Sequence, residues 1–273
     1  MGRRSGEPPT AAADHARTAA APGTGRAAYG QKGGRLQHPR RLRRLLRAVG
    51  YGLGFAVPLT GLAFLVREKF LPVIELDDAA VRAATDISRA NDGLRAFWFG
   101  WQEATQPKWI VIVATVVCLV VWRRHDLKTR SLWAFVTMLV AWNLQLDIKL
   151  IVQRARPIVS DPVSHAPGYS FPSGHVATGA AVATTLVLLL WPLLGPVGRR
   201  VAVTVATLYV VVTGLDRVFL GVHFPSDVVG GIIFGVGLAA ASYAGYLGWN
   251  PRQADGPPPP EGRTGPETPK GHP

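Results

Sequence analysis

The chain has 273 residues, a formal net charge of +13 and 48% apolar side chains. Ordinary soluble domains rarely combine so much positive charge with so much apolar content, so the two must occupy different parts of the chain. A single cysteine, Cys118, excludes an intrachain disulfide and a cysteine cluster for zinc, and is expected to pack against lipid or another helix.

The segregation is visible from the start. Met1 to Arg47 carries eleven Lys or Arg against two acids, about +9 of the total, among Gly, Pro and Ala. With almost no large apolar residue it cannot bury a core, so a disordered basic arm is predicted over 1–44. Its last stretch, "RRLRRLLR" (Arg40 to Arg47), abuts the first apolar run and suits a cytoplasmic membrane anchor better than a nucleic-acid-binding arm. No nucleic-acid partner is expected. A cleavable signal peptide is not expected either, because the first apolar run starts only near Val49 and no convincing small-residue cleavage site follows.

Six stretches read as membrane spans: Val49 to Val66, Trp109 to Trp122, Leu132 to Ile148, Val176 to Val197, Val201 to Leu215, and Val228 to Trp249. They predict an all-α polytopic bundle over 45–249, embedded in the lipid bilayer. A crossing helix needs about 20 residues, and the second span falls furthest short. Lys108, Arg123 and Arg124 can snorkel outward there, while Trp109 and Trp122 anchor the two interfaces.

The basic arm, "RRHDLKTR" (Arg123 to Arg130) and "GRR" (Gly198 to Arg200) fall on one side, which the positive-inside rule makes cytoplasmic, together with both termini. The outer side then receives residues 67–108, 149–172 and 216–227. In the first of these, Glu75, Asp77, Asp78 and Asp86 offset Arg82, Arg89 and Arg95. Within it, "LDDAAVRAATDISRA" has helical spacing and "LRAFWFGW" (Leu94 to Trp101) reads as interfacial. No long internal repeat and no strand pattern stands out. The tail over 250–273, with "GPPPPEG" inside it, is predicted to be disordered.

Three outer segments hold ionisable residues that membrane anchoring does not require. "KLIVQRARP" supplies Lys149 and Arg156; with a helix running to about Ala155 they lie two turns apart on nearly one face, and Pro157 ends that helix. Two cations on one face without a nearby acid suit an anion, although interfacial Lys and Arg can also simply mark the membrane surface.

"FPSGHVATG" places Ser173, a favoured helix N-cap, and Gly174 before a long apolar helix whose free N–H groups and positive dipole end suit an oxyanion. His175 then stands at the mouth of that nest, able to give or take a proton, or else it is a satisfied capping residue. "LDRVFLGVHFPSDVVGG" supplies Arg217, His223 and Asp227. Pro225 starts the last helix, and Asp227 can reach back from its first turn to one ring nitrogen of His223, leaving the other bare as a nucleophile. The plainer alternative is that Asp227 caps the helix and His223 is interfacial. Together the three segments supply cations, an oxyanion nest, an acid and a nucleophile, the inventory of phosphoryl transfer without a metal.

In order and spacing these segments resemble the signature of the type 2 phosphatidic acid phosphatase family, the membrane lipid-phosphate phosphatases related to vanadium haloperoxidases. Lys149 with Arg156 and Pro157 matches the first motif, Pro172 to His175 the second, and Arg217, His223 and Asp227 the third. The resemblance extends over roughly Val49 to Trp249. It implies that His223 attacks phosphorus to form a phosphohistidine, Asp227 orients it, and His175 protonates the leaving oxygen and later activates water. Lys149, Arg156, Ser173, Gly174 and Arg217 would hold the phosphoryl oxygens, with no metal or cofactor. One position departs: Asp216 stands where the third motif opens on Ser, and a carboxylate there either turns from the phosphate to pair with Arg217 or Arg154, the expected outcome, or alters the site for an unusual substrate.

The implied activity is hydrolysis of a lipid phosphate or isoprenyl diphosphate at the outer face, with undecaprenyl diphosphate, phosphatidic acid and phosphatidylglycerol phosphate as candidates. A lipid phosphotransferase with an alcohol acceptor, a vanadate-dependent haloperoxidase and a non-enzymatic membrane scaffold or transporter are the rivals. The site reading requires Lys149, Arg156, His175, Arg217 and His223 to converge, with Asp227 within hydrogen-bond reach of His223.

Overall fold

The computed structural model describes residues 38–158 and 163–249. The arm up to residue 37 and the tail over 250–273, both predicted to lack structure, lie outside the described residues. Among the described residues every element is helical: α1 (His38–Arg67), α2 (Leu71–Ala90), α3 (Asp92–Ala104), α4 (Pro107–Arg124), α5 (Lys128–Val152), α6 (Gly174–Leu190), α7 (Pro196–Phe219) and α8 (Pro225–Trp249). A 3-10 turn, Trp191–Leu193, extends α6.

The first helix begins earlier than the sequence suggested, reaching from His38 into the arm predicted to be disordered through residue 44. The local reason is favourable composition. Pro39 sits in the first turn, where its missing N–H costs nothing, and the Arg and Leu residues after it are strong helix formers.

Among the described residues, five helices are long and apolar enough to cross a membrane: α1, α5, α6 with its 3-10 extension, α7 and α8. The sixth predicted span is met only by α3 and α4 jointly, as a pair bent by 51°. That is where the sequence was shortest of apolar residues. Leu53, Val57, Val113, Val116 and Leu208 remain exposed around the bundle, as side chains facing hydrocarbon should.

The centre of the bundle is α6, which packs against α4, α5, α7 and α8, while α8 also packs along α1. Small residues set the spacing of α6 and α8. A Cβ at Gly235 would lie 2.5 Å from the Ala177 carbonyl oxygen and 2.7 Å from the Ala181 nitrogen, and one at Gly231 would lie 3.1 Å from the Ser173 oxygen. Only glycine allows the two helices to approach so closely. The entrances of α6 and α8 are thereby set side by side, and Ser173 N–H donates to the Asp227 carbonyl at 3.0 Å. Cys118 is buried in a cluster with Ala114, Ala134, Met138 and Leu189, the helix-packing role expected for it.

Two helices close over the same end. Ser88 of α2 donates to the Phe219 carbonyl at 2.7 Å, Trp98 of α3 packs on the Phe219 ring at 5.2 Å, and Trp101 Nε1 donates to Thr213 Oγ1 at 3.2 Å. The stretch read as interfacial is therefore only partly so: Trp98 is buried while Phe97 and Phe99 are exposed. At the opposite end, buried Arg130 donates to the Leu188 carbonyl through Nε at 3.1 Å and Nη2 at 2.7 Å, tying the start of α5 to the end of α6.

Candidate active site

His223 lies in the short turn between α7 and α8, and is 3% exposed. Its two ring nitrogens face opposite kinds of partner. Nδ1 is 3.4 Å from Asp227 Oδ2, and Nε2 is 3.1 Å from Arg156 Nη1. A carboxylate can only accept and a guanidinium can only donate, so the partners assign the tautomer: Nδ1 carries the hydrogen and Nε2 presents its lone pair. Burial pushes the ring from 6.5 down to about 4, against the opposing hydrogen bond and charge of Asp227. The imidazole is neutral at physiological pH, the form a nucleophile needs.

Asp227 is itself fully engaged. Oδ2 accepts from Phe224 N at 2.9 Å and from the Ser170 hydroxyl, and Oδ1 accepts from Arg154 Nη1 at 2.7 Å. The helix starts at Pro225, as the proline predicted, and this puts Asp227 in the first turn, reaching back over His223.

Lys149 and Arg156 do meet, though not as two positions on one helix face. The helix predicted to run to Ala155 ends at Val152, because Gln153 adopts left-handed geometry with φ of 54°. The loop after α5 brings the two cations together instead. Lys149 Nζ donates to the Tyr169 carbonyl at 2.8 Å, and Arg156 donates to Gly168, Pro167, Tyr169 and Val222 carbonyls at 3.0, 2.9, 3.3 and 2.7 Å. This collar of carbonyls fixes the guanidinium against Nε2 of His223. Burial lowers the pKa of Arg156 from its ordinary value, and Asp227 opposes that shift.

Arg217, at the end of α7, is 2% exposed. Asp216 accepts from its Nε at 2.6 Å and also from its Nη2, leaving Nη1 as the unclaimed face of the guanidinium. The carboxylate that departs from the family motif thus pairs with Arg217, one of its two expected partners. Arg154, the other, belongs to a different network.

The entrance to α6 contrasts with all this satisfaction. Ser173 is at the N-cap position but makes no capping bond, and its hydroxyl is buried without a partner among the described residues, as is Nε2 of His175. Gly174 lies against Gln145, whose Oε1 would be 3.1 Å from a Cβ there. His175 lies within electrostatic reach of Arg217, His223, Arg156 and Lys149, so all of the side chains singled out by sequence gather at one end of the bundle. Between the open helix entrance and Nε2 of His223, this cluster has donors and positive charge on several sides and a neutral imidazole on another.

Sequence reasoning missed several members. Asp77 was counted only as balancing charge, yet Oδ2 accepts from Arg154 Nη2 at 2.7 Å and Oδ1 accepts from Ser226 N at 3.0 Å. Ser170 and Ser226 were also passed over. One signal was available: Phe-Pro-Ser occurs twice, at 171–173 and 224–226, immediately before or within the entrance to each site-bearing helix.

The sequence profile of the PAP2 superfamily matches residues 130–250. Phosphatidylglycerophosphatase B of Bacillus subtilis (strain 168) is 33% identical over 114 residues, which cover 39% of this chain and 55% of that protein. Decaprenylphosphoryl-5-phosphoribose phosphatase of Mycobacterium tuberculosis (strain ATCC 25618 / H37Rv) is 30% identical over 135 residues, 48% of this chain and 68% of that protein. The chain thus spans between about half and two thirds of these relatives' own lengths. Among solved structures, the first transmembrane PAP2 type phosphatidylglycerolphosphate phosphatase from Bacillus subtilis superposes with a TM-score of 0.62 over 72% of this chain and 94% of that one, at 24% identity. That likeness bears on the fold.

Proposed function

The chain belongs to the PAP2 superfamily, and on that premise we propose that it is an integral membrane phosphatase acting on a lipid phosphate or isoprenyl diphosphate through a phosphohistidine at His223. The observation that carries this reading is the two-sided environment of His223, with Nδ1 toward Asp227 at 3.4 Å and Nε2 toward Arg156 at 3.1 Å.

In the proposed cycle a phosphoryl oxygen takes the Arg156 Nη1 donor away from Nε2, and the freed lone pair attacks phosphorus. The N–P bond forms as the P–O bond to the leaving group breaks. His175, protonated once the phosphoryl dianion offsets the cations around it, gives that proton to the departing oxygen, while Asp227 holds the Nδ1 hydrogen and offsets the positive charge growing on the ring. Lys149, Arg156, the free face of Arg217, the Ser173 hydroxyl and the first N–H groups of α6 hold the equatorial oxygens. In the second half His175 takes a proton from water, the water oxygen attacks phosphorus, and the N–P bond breaks to restore neutral His223 and release inorganic phosphate. These steps require no metal, because the donors supply the charge.

A lipid substrate is supported by the surroundings. An apolar groove of about 640 Å³, lined by residues including Trp109, Val182, Leu186, Val205 and Tyr209, lies between α4, α6 and α7, and offers hydrocarbon a place along the same helices that carry the site. Names among the relatives, which include a phosphatidylglycerophosphatase and a decaprenylphosphoryl-5-phosphoribose phosphatase, favour phosphatidylglycerol phosphate and polyprenyl phosphates or diphosphates over soluble esters. The site end is assigned to the extracytoplasmic side and both termini to the cytoplasm, since the helix ends bearing Arg123, Arg124, Lys128, Arg199 and Arg200 lie at the other end.

The test is phosphate release by purified protein in detergent with chelator present, across a panel of phosphatidylglycerol phosphate, phosphatidic acid and undecaprenyl diphosphate. Wild type is expected to turn over at least one of them, and His223→Ala none. Equal turnover by both proteins would remove the mechanism, and loss of wild-type turnover on adding chelator would remove its metal independence.

A further inference from the structure

Asp77 lies on α2, outside the matched segment 130–250 and outside all three motifs, yet the residue is 2% exposed and both oxygens are engaged. Oδ1 accepts the backbone N–H of Ser226 at 3.0 Å, at the entrance of α8. Oδ2 accepts Arg154 Nη2 at 2.7 Å and the Ser226 hydroxyl. Arg154 lies over the Phe224 ring at 4.1 Å and donates from Nη1 to Ser226 Oγ at 2.6 Å and to Asp227 Oδ1 at 2.7 Å. A continuous line of contacts therefore runs from Asp77 through Arg154 and Asp227 to Nδ1 of His223.

Capping α8 would need only one of these oxygens. The second one acts on Arg154, and its consequence is electrostatic. The His223 ring becomes positive as Nε2 bonds phosphorus, and it depends on the negative charge of Asp227. An arginine bonded to that carboxylate alone would cancel the charge. With Asp77 on the other side of the guanidinium, the three groups sum to one negative charge, and the planar fork of Arg154 is clamped between two carboxylates in a fixed geometry.

We infer that Asp77 is a positioning residue for the nucleophile: by clamping and neutralising Arg154 it fixes the orientation of Asp227 and preserves its charge for His223 during phosphoryl transfer. This inference rests on His223 acting as proposed above, and extends the machinery to a helix that no motif covers.

The test uses the full chain in detergent with the lipid phosphate that wild type turns over fastest in the panel above. His223→Ala, Asp77→Asn and Asp77→Asn/Arg154→Gln are compared with wild type, with melting temperature recorded for each. Asp77→Asn should lower kcat roughly 30-fold and leave KM within about twofold, in the range that partners of a site residue command. The double variant, which removes one charge of each sign, should recover about tenfold of that loss, because Asp227 regains its unopposed charge. A kcat for Asp77→Asn within about twofold of wild type, or a further additive loss in the double variant, would overturn the inference. Should Asp77→Asn fail to fold, Asp77→Glu keeps the charge but displaces the oxygens: kcat should fall without a matching rise in KM, and an unchanged kcat overturns the inference. Failure of the underlying reading gives a different pattern, with no turnover by wild type or full turnover by His223→Ala.

Discussion

The two Phe-Pro-Ser segments lie side by side in the bundle and are treated in opposite ways. At 224–226 the polar side chains are linked to one another: Ser226 bonds Asp77, Arg154 bonds Ser226 and Asp227, and Asp227 holds His223. At 171–173 the Ser173 hydroxyl is buried with nothing to bond, and the same holds two residues on for Nε2 of His175. Leaving a buried polar group unpaired costs roughly 1–3 kcal/mol, and under the proposed function the phosphoryl group of the substrate supplies the partners that this entrance lacks. On the proposed mechanism the α8 side is organised before substrate arrives, as a nucleophile that must strike in one direction has to be, and the α6 side is completed by the substrate.

That contrast can be broken most forcefully on the organised side. Asp227→Asn should lower kcat on the order of 10⁴-fold, because the amide can favour the wrong tautomer of His223; a loss below about tenfold would mean that the dyad does not matter. On the open side, His175→Ala should cost roughly 10³-fold with a lipid substrate. With an aryl phosphate, whose leaving group needs no proton, the same variant should accumulate phosphoenzyme, since only the second half-reaction then lacks its base. Quenched-flow labelling distinguishes these cases, and a variant that shows no burst contradicts the assigned role.

A paired substitution sharpens the comparison further. Ser173→Ala removes a buried hydroxyl with no partner, so activity should fall roughly 100-fold while the melting temperature holds or rises. Ser226→Ala breaks bonds within the buried network and should cost about 1–3 kcal/mol of stability. The reverse pattern would mean that the two entrances have been assigned the wrong way round.

The smallest effect is on the pH dependence of stability. His223 titrates at about 4 in the folded chain against 6.5 for the free group, so the unfolded state binds the proton more readily. Its contribution is fully present above pH 6.5 and is lost as the pH falls from there through about 4. The melting temperature of His223→Asn should therefore vary less with pH in that window than that of wild type. A steeper dependence in the variant would contradict a buried, neutral ring.

The three motifs and the helical spans were legible because each rests on local signals: apolar length, Pro at a helix start, and a His with an Asp one turn on. The clamp on Asp227 was not, because Asp77 and Ser226 meet across a long sequence separation and an isolated acid in "LDDAAVRAATDISRA" looks like any solvated helix face. The helix-face pairing of Lys149 with Arg156 gave the right neighbours for the wrong reason. The left-handed residue Gln153 ended the helix early, and the carbonyls of 167–169 supplied the geometry that periodicity had been asked to supply.

The most direct measurement is to mix the purified protein with substrate labelled in the transferred phosphoryl group, quench in alkali within a turnover, and map the label by mass spectrometry. Label on His223, formed at a rate no slower than steady-state turnover and absent from His223→Ala, is the predicted result. Label on another side chain, or turnover with no covalent label under conditions where a chemically prepared phosphohistidine survives the quench, would contradict the account.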